Sequence, residues 1–168
     1  GGVTDLAISR DGKTLATTHV DGNPLGFDEE CDVRLWDLET KQERTKIHLK
    51  GRVGNLVFSP DGRTLLVILG YIDPLKGQNV MAHKNVLKVL DASSGAEQKS
   101  LLLSQDQNAM ELSKDGTKLA LSGTFMLGLL DVNGMKETSS FNAIMREDVV
   151  NNKMNRQTTA IALTGDGK

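Results

Sequence analysis

Short apolar runs alternate with tight polar turns along the whole chain. Runs with strand alternation are Val3-Thr4-Asp5-Leu6-Ala7-Ile8, Val53-Gly54-Asn55-Leu56-Val57-Phe58, Ala109-Met110-Glu111-Leu112 and Ala160-Ile161-Ala162-Leu163. A turn string follows each: Ser9-Arg10-Asp11-Gly12, Ser59-Pro60-Asp61-Gly62, Ser113-Lys114-Asp115-Gly116 and Thr164-Gly165-Asp166-Gly167. After the first three turns comes a second apolar run: Thr14-Leu15-Ala16-Thr17, Thr64-Leu65-Leu66-Val67-Ile68-Leu69 and Lys118-Leu119-Ala120-Leu121. A period of two bounded by Gly and Asp predicts strands. Asp-Gly between two such runs predicts a hairpin, because both residues tolerate the positive φ of a tight turn.

The Asp of this turn steps along the chain by 50, 54 and 51 residues. A second string recurs out of phase with it: Val33-Arg34-Leu35-Trp36-Asp37, Leu87-Lys88-Val89-Leu90-Asp91 and Leu127-Gly128-Leu129-Leu130-Asp131. Each ends in Asp, passes through a short turn, and leads to a further strand over residues 43–49, 97–103 and 137–141. Each unit therefore has four short strands and two tight turns. No segment carries a convincing helical period, and the best helix candidate is 142–152. Four strands at a period of 40 to 50 residues describe a propeller blade. The predicted units are blade one at 1–50, blade two at 51–106, blade three at 107–156 and the start of blade four at 157–168.

Phe58-Ser59-Pro60-Asp61-Gly62-Arg63-Thr64-Leu65 and Val33-Arg34-Leu35-Trp36-Asp37 resemble the motifs of the WD-repeat family, and in that family's order. The resemblance covers essentially the whole chain and implies an all-β propeller of four-stranded antiparallel blades, here an incomplete ring. Its structural positions are Asp11, Gly12, Asp61, Gly62, Asp115, Gly116, Asp166 and Gly167 at the first turn. At the second they are Trp36, Asp37, Asp91 and Asp131. The repeats are degenerate. Trp-Asp is intact only at Trp36-Asp37, the family's Gly-His pair is absent, and His19, His48 and His83 are not equivalent to one another. The family's buried His-Ser-Asp-Trp network is therefore not expected. Apolar packing should hold the blades, with each Asp bonding locally at its turn.

Composition narrows the partners. Charged residues make up 25% and hydrophobic residues 38% of the chain, with a net charge of −2. That balance gives no reason to expect nucleic acid or an anionic membrane as partner. The longest apolar run is 65–69, far short of the roughly 18 residues of a membrane helix. Cys31 is the single cysteine, so no internal disulfide forms, and a reducing, cytoplasmic setting is favoured. The chain begins Gly-Gly without Met and stops just after a turn signal, which reads as a piece of something longer. Three blades and a strand do not close a ring of four to eight. The rest of the parent chain should complete it, or else a second copy.

Loop lengths place the candidate site. From the Asp-Gly turn to the Asp ending the third strand the separations are 26, 30 and 16 residues. From there to the next Asp-Gly turn they are 24, 24 and 35. Blades one and two thus carry long connections between their second and third strands, and blade three carries one in its crossover. In an antiparallel blade these connections all emerge at one face, where binding is expected. The loop over 19–32 is acidic, that over 70–85 is mildly basic and apolar, and that over 142–155 is mixed. The candidate interaction residues are Phe27, Asp28, Glu29, Glu30, Tyr71, Lys76, His83, Lys84, Met145, Arg146 and Glu147. Such a surface suits a protein or peptide.

Catalytic and metal chemistry is weakly encoded. Asp21, Asn23, Gly26 and Asp32 match four positions of a calcium loop, but Pro24 and Leu25 interrupt it and no helices flank it. One Cys and three scattered His do not make a zinc site. No nucleophile-elbow string is present, and no helix follows the Gly-containing turns to bind phosphate. Cys31 reads as a packed thiol, Trp36 as core and His83 as solvated. No catalytic residue, cofactor or metal is expected. The expected role is a non-catalytic interaction scaffold or sensor module. The alternatives are part of a propeller enzyme with its site in blades outside this chain, and a purely structural domain of a large assembly.

Overall fold

The computed structural model describes residues 2–20, 30–74, 81–104, 109–123 and 126–142. These form twelve strands: β1 (Gly2–Ile8), β2 (Thr14–Val20), β3 (Glu30–Asp37), β4 (Gln42–Lys50), β5 (Arg52–Phe58), β6 (Thr64–Pro74), β7 (Met81–Asp91), β8 (Glu97–Leu103), β9 (Ala109–Leu112), β10 (Lys118–Ser122), β11 (Met126–Asp131) and β12 (Lys136–Asn142). They pair antiparallel in three four-stranded sheets, β1 to β4, β5 to β8 and β9 to β12, each in sequence order. The all-β blade architecture read from the chain is the observed one. The helix candidate beyond Asn142 and the fourth repeat copy lie outside the described residues. Residues 1–105 and 106–168 form two compact units, the first holding blades one and two and the second blade three.

The repeated Ser-x-Asp-Gly string folds the same way three times. The amides of Gly12, Gly62 and Gly116 donate to the carbonyls of Ser9, Ser59 and Ser113, and each Gly has φ between 70° and 75°. Arg10 and Asp11 form a turn of ordinary hand, and Gly12 alone takes the left-handed conformation. The Ser9 hydroxyl donates to Asp11 Oδ1 at 2.6 Å and accepts the Thr14 amide at 2.9 Å. Ser59 and Ser113 do the same for Asp61 and Asp115. These bonds favour the charged carboxylate. The Ser9 and Ser59 hydroxyls hold Asp11 and Asp61 below the usual carboxylate range, and the Thr117 amide leads the same effect at Asp115. The local Asp bonding expected at the turns is present.

The second turn is equally regular. Asp37 Oδ1 accepts the Glu39 and Thr40 amides, Asp91 Oδ1 those of Ser93 and Ser94, and Asp131 Oδ1 that of Gly134. Lys41, Gly95 and Met135 follow at the same place with φ of 59°, 74° and 48°. Between the second and the first residue before the Asp of this turn, the third and fourth strands of every blade slip register, at Leu35/Trp36, Val89/Leu90 and Leu129/Leu130. Such bulges bend a strand and strengthen its twist.

The segment 70–85, read as a loop, is largely a hairpin. The ladder of β6 and β7 continues through Gly70↔Asn85, Tyr71↔Lys84, Ile72↔His83, Asp73↔Ala82 and Pro74↔Met81. Gly70 and Pro74 broke the apolar alternation that marks a strand, but pairing needs only backbone groups once the register is set. Proline is tolerated at the strand's end. In blade one, pairing likewise runs through His19↔Asp32 and Val20↔Cys31, so the unpaired part is shorter than 19–32 suggests.

One core joins blades one and two. Blade one contributes Ala16, Cys31, Val33, Leu35, Ile47 and Leu49, and blade two meets them with Val53, Leu56, Phe58, Leu65, Val67 and Leu69. Burial keeps the Cys31 thiol above its ordinary range. Polar contacts pin this interface at both ends. On the inner strands the Leu56 amide donates to Asp5 Oδ2 at 3.0 Å, while the other Asp5 oxygen accepts the Leu6 amide at 2.9 Å. On the outer side Arg44 Nη2 and the Thr45 hydroxyl donate to the carbonyls of Ala92 and Ser93, each at 3.2 Å. Gly95 fits closely here, since a Cβ on it would lie 2.6 Å from Ile47 Cγ1.

Candidate functional site

Few of the predicted interaction residues fall where side chains are described. Phe27, Asp28, Glu29, Lys76, Met145, Arg146 and Glu147 lie outside the described residues. Tyr71 and His83 sit on adjacent rungs of the β6–β7 hairpin, and Lys84 pairs with Tyr71. Glu30 opens β3. The hairpin therefore brings together three residues read as loop positions, on paired backbone. Four of the calcium-loop positions divide likewise: Asp21, Asn23 and Gly26 are outside the described residues, and Asp32 is a strand residue with other partners. Among the described residues no cluster of His, Cys, Asp and Glu is arranged to hold a metal ion.

The strongest polar constellation lies on blade one, on the sheet face opposite to that of Leu35. Asp32, 4% exposed, has three basic side chains around it. Lys46 Nζ is 2.7 Å from its Oδ2, Arg34 Nη2 is 3.7 Å from the same atom, and His48 Nδ1 is 3.0 Å from Oδ1. His48 Nε2 reaches Glu30 at 3.0 Å, and Arg34 also pairs with Glu43 at 3.4 Å. Burial works to raise the Asp32 carboxyl, but hydrogen bonds from Lys46 and His48 outweigh it and hold the group below its ordinary range. Asp32 and then Glu30 push His48 up. Every member belongs to β3 or β4, and alternate residues of a strand share a face.

Beside it runs a second chain of polar atoms. Trp36 Nε1 donates to Thr17 Oγ1 at 2.8 Å, and Thr17 Oγ1 lies 2.9 Å from His19 Nε2. Blade one thus carries a polar chain beyond the apolar packing and the local Asp bonding that its sequence led one to expect. It links a His, a hydroxyl and the terminal Trp, as the resemblance would imply, but through a His on the second strand. The sequence signal was His19 two residues from Thr17, with Thr17 opposite the string that carries Trp36. Within the first constellation Arg34 Nε is buried without a hydrogen-bond partner, while Lys46 and His48 are about half exposed. Their chemistry is that of positioning charge and pairing buried polar groups.

The fold and these sites define a propeller-type protein of four-stranded blades. No family model matches the chain, and no curated protein matches it in sequence. Solved structures do. A hydrazine synthase of Kuenenia stuttgartiensis superposes with a TM-score of 0.69 over 97% of this chain and 53% of its own, at 14% identity. An acylaminoacyl peptidase in complex with Z-Gly-Gly-Phe-chloromethyl ketone matches with a TM-score of 0.59, over 82% of this chain and 25% of its own, at 14% identity. The acylaminoacyl peptidase of Pyrococcus horikoshii gives 0.60, over 81% and 24%, also at 14% identity. The chain thus spans about half of the first structure and a quarter of the other two, and the likeness is one of fold.

Proposed function

We propose that this chain is a non-catalytic interaction scaffold of WD-repeat type, binding a protein or peptide at the end of the blades where β2 joins β3 and β6 joins β7. The observation that carries this reading is the length of the β6–β7 ladder. Both strands have 11 residues, against 7 in β2 and 5 in β10. Its last rungs carry Tyr71, His83 and Lys84 on paired backbone, which has less conformational entropy to lose on binding than an open loop. Peptide-display selection on the full-length protein tests it. The protein should enrich one motif, and a variant with 71–84 replaced by an Asn-Gly turn should not, while melting at the same temperature. Equal enrichment by a folded variant overturns the reading.

A second reading is compatible with the comparisons. The matched structures carry the names of enzymes, which is in keeping with part of a propeller enzyme whose site lies in blades outside this chain. Turnover by the parent protein, retained when the β6–β7 arm is shortened, would support it over the scaffold.

A further inference from the structure

We infer that Asp11, Asp61 and Asp115 are latent sites of isoaspartate formation, and that the hydroxyl of the serine two places ahead keeps each of them unreacted while its blade is folded. The inference is independent of both readings of function. It starts from the chemistry of an Asp-Gly pair. Glycine has no Cβ to shield its amide nitrogen, so that nitrogen can reach the preceding side chain. Having given up its proton, it bonds to Asp Cγ, a carbon–oxygen bond of the carboxyl breaks, and one water leaves. Water then adds to the cyclic imide at the former backbone carbonyl. The carbon–nitrogen bond there breaks and the nitrogen recovers no new partner but the side-chain carbonyl carbon. The chain now runs through the side-chain carboxyl, one methylene longer, with its composition unchanged.

The folded turn opposes each requirement. The Gly12, Gly62 and Gly116 amides donate to the carbonyls of Ser9, Ser59 and Ser113 at 2.8, 2.9 and 2.8 Å. Each nitrogen is thereby tied to the serine carbonyl rather than free to turn over the Asp side chain. The carboxyl is tied as well. The hydroxyls of Ser9, Ser59 and Ser113 donate to Oδ1 of Asp11, Asp61 and Asp115 at 2.6, 2.6 and 2.7 Å. The amides of Lys13, Arg63 and Thr117 donate to the same oxygen, each at 3.0 Å. Two donors on one oxygen restrict rotation of the side chain and favour the ionised carboxylate, which has no hydroxyl to release as water.

The serine hydroxyl is itself held in place. It accepts the amides of Thr14, Thr64 and Lys118 at 2.9, 3.0 and 2.9 Å, so the second strand of each blade fixes it. All three Asp residues are exposed, so exclusion of water does not protect them. Blade three has a further donor. The Thr117 hydroxyl lies 2.9 Å from Asp115 Oδ1 and 3.0 Å from Oδ2, where the other two turns carry Lys13 and Arg63.

Prolonged warm incubation of the full chain tests this, with isoaspartyl carboxyls methylated enzymatically and mapped by peptide mass. The parent protein should form isoaspartate at the three turns far more slowly when folded than in urea. Ser59→Ala should speed the reaction at Asp61 by roughly tenfold, the contribution of one hydrogen bond to a charged group, and leave Asp11 and Asp115 of the same molecule unchanged. Ser59→Thr, which keeps the hydroxyl, should match the parent. Ser113→Ala should speed Asp115 less, because the Thr117 hydroxyl remains. An unchanged rate at Asp61 in Ser59→Ala overturns the inference. So does an equal rise at all three turns, which would make general unfolding the cause. A parent protein that reacts as fast folded as in urea overturns it too.

Discussion

Asp5 bonds amides on two blades with one carboxylate, and removing it should loosen their contact measurably. Its Oδ2 accepts the Leu56 amide and its Oδ1 the Leu6 amide. Leu56 is 6% exposed, so in Asp5→Ala its N–H loses its acceptor where water has little access. A hydrogen bond to a charged group contributes about 1.5–3 kcal/mol. The Leu6 amide is at an exposed residue and rebonds to water, so it adds little. The expected loss is about 2–3 kcal/mol, which at a urea slope of about 1–3 kcal/mol/M moves the unfolding midpoint by roughly 1 M. Trp36 is the single tryptophan and lies on the same blade, so its fluorescence reports the transition. Asp5→Asn keeps one acceptor oxygen and should lose about 1 kcal/mol, as a neutral bond replaces a charged one. A midpoint for Asp5→Ala within about 0.5 kcal/mol of the parent, the range of an ordinary surface change, would refute the reasoning. Equal losses in the two variants would also count against it.

The Trp36–Thr17 bond should appear as coupling in a double-mutant cycle. Thr17→Val should cost about 1–3 kcal/mol by orphaning the indole N–H, and less when Trp36 is already Phe; strict additivity in urea unfolding would remove the bond from the account. His48 should make stability pH-dependent. Its pKa is raised in the folded state, so its contribution is fully present below about pH 6.5 and lost as pH rises through the higher folded value. Asp32 is lowered, so its contribution holds above about pH 3.9 and fades as pH falls through the folded value. His48→Gln should therefore differ most from the parent in mildly acidic buffer and converge with it at alkaline pH, as followed by urea midpoints; a difference that grows with pH would contradict this sign.

The strands and turns were legible because each carries a local signal: alternation in Val3 to Ile8, and a Gly where φ must be positive. What the sequence concealed depends on partners distant along the chain. Asp5 reads as the polar half of an alternating strand, and nothing local shows that Leu56 is its partner. His48, Lys46 and Asp32 meet only once the β3–β4 register is set. Thr17 and His19 lie within the second strand, away from the opening of the repeat where the family carries its His, so no local signal marks them as a pair. The hairpin over 70–85 was hidden by Gly70 and Pro74, whose turn signals are real but fall inside or at the end of a ladder begun at Thr64↔Asp91. The candidate interaction residues were legible only as positions: Tyr71, His83 and Lys84 share neighbouring rungs, and Glu30 belongs to the Asp32 cluster instead.

The residue after the second turn has a broader meaning. Lys41, Gly95 and Met135 have nothing in common as side chains, yet each holds the left-handed backbone at the same step of its blade. The bulges just before the turn coincide as closely, in third strands that read Leu-Trp, Val-Leu and Leu-Leu at the slip. The path of the backbone is kept where the letters are not, both between the blades of this chain and against the structures that superpose on it at 14% identity.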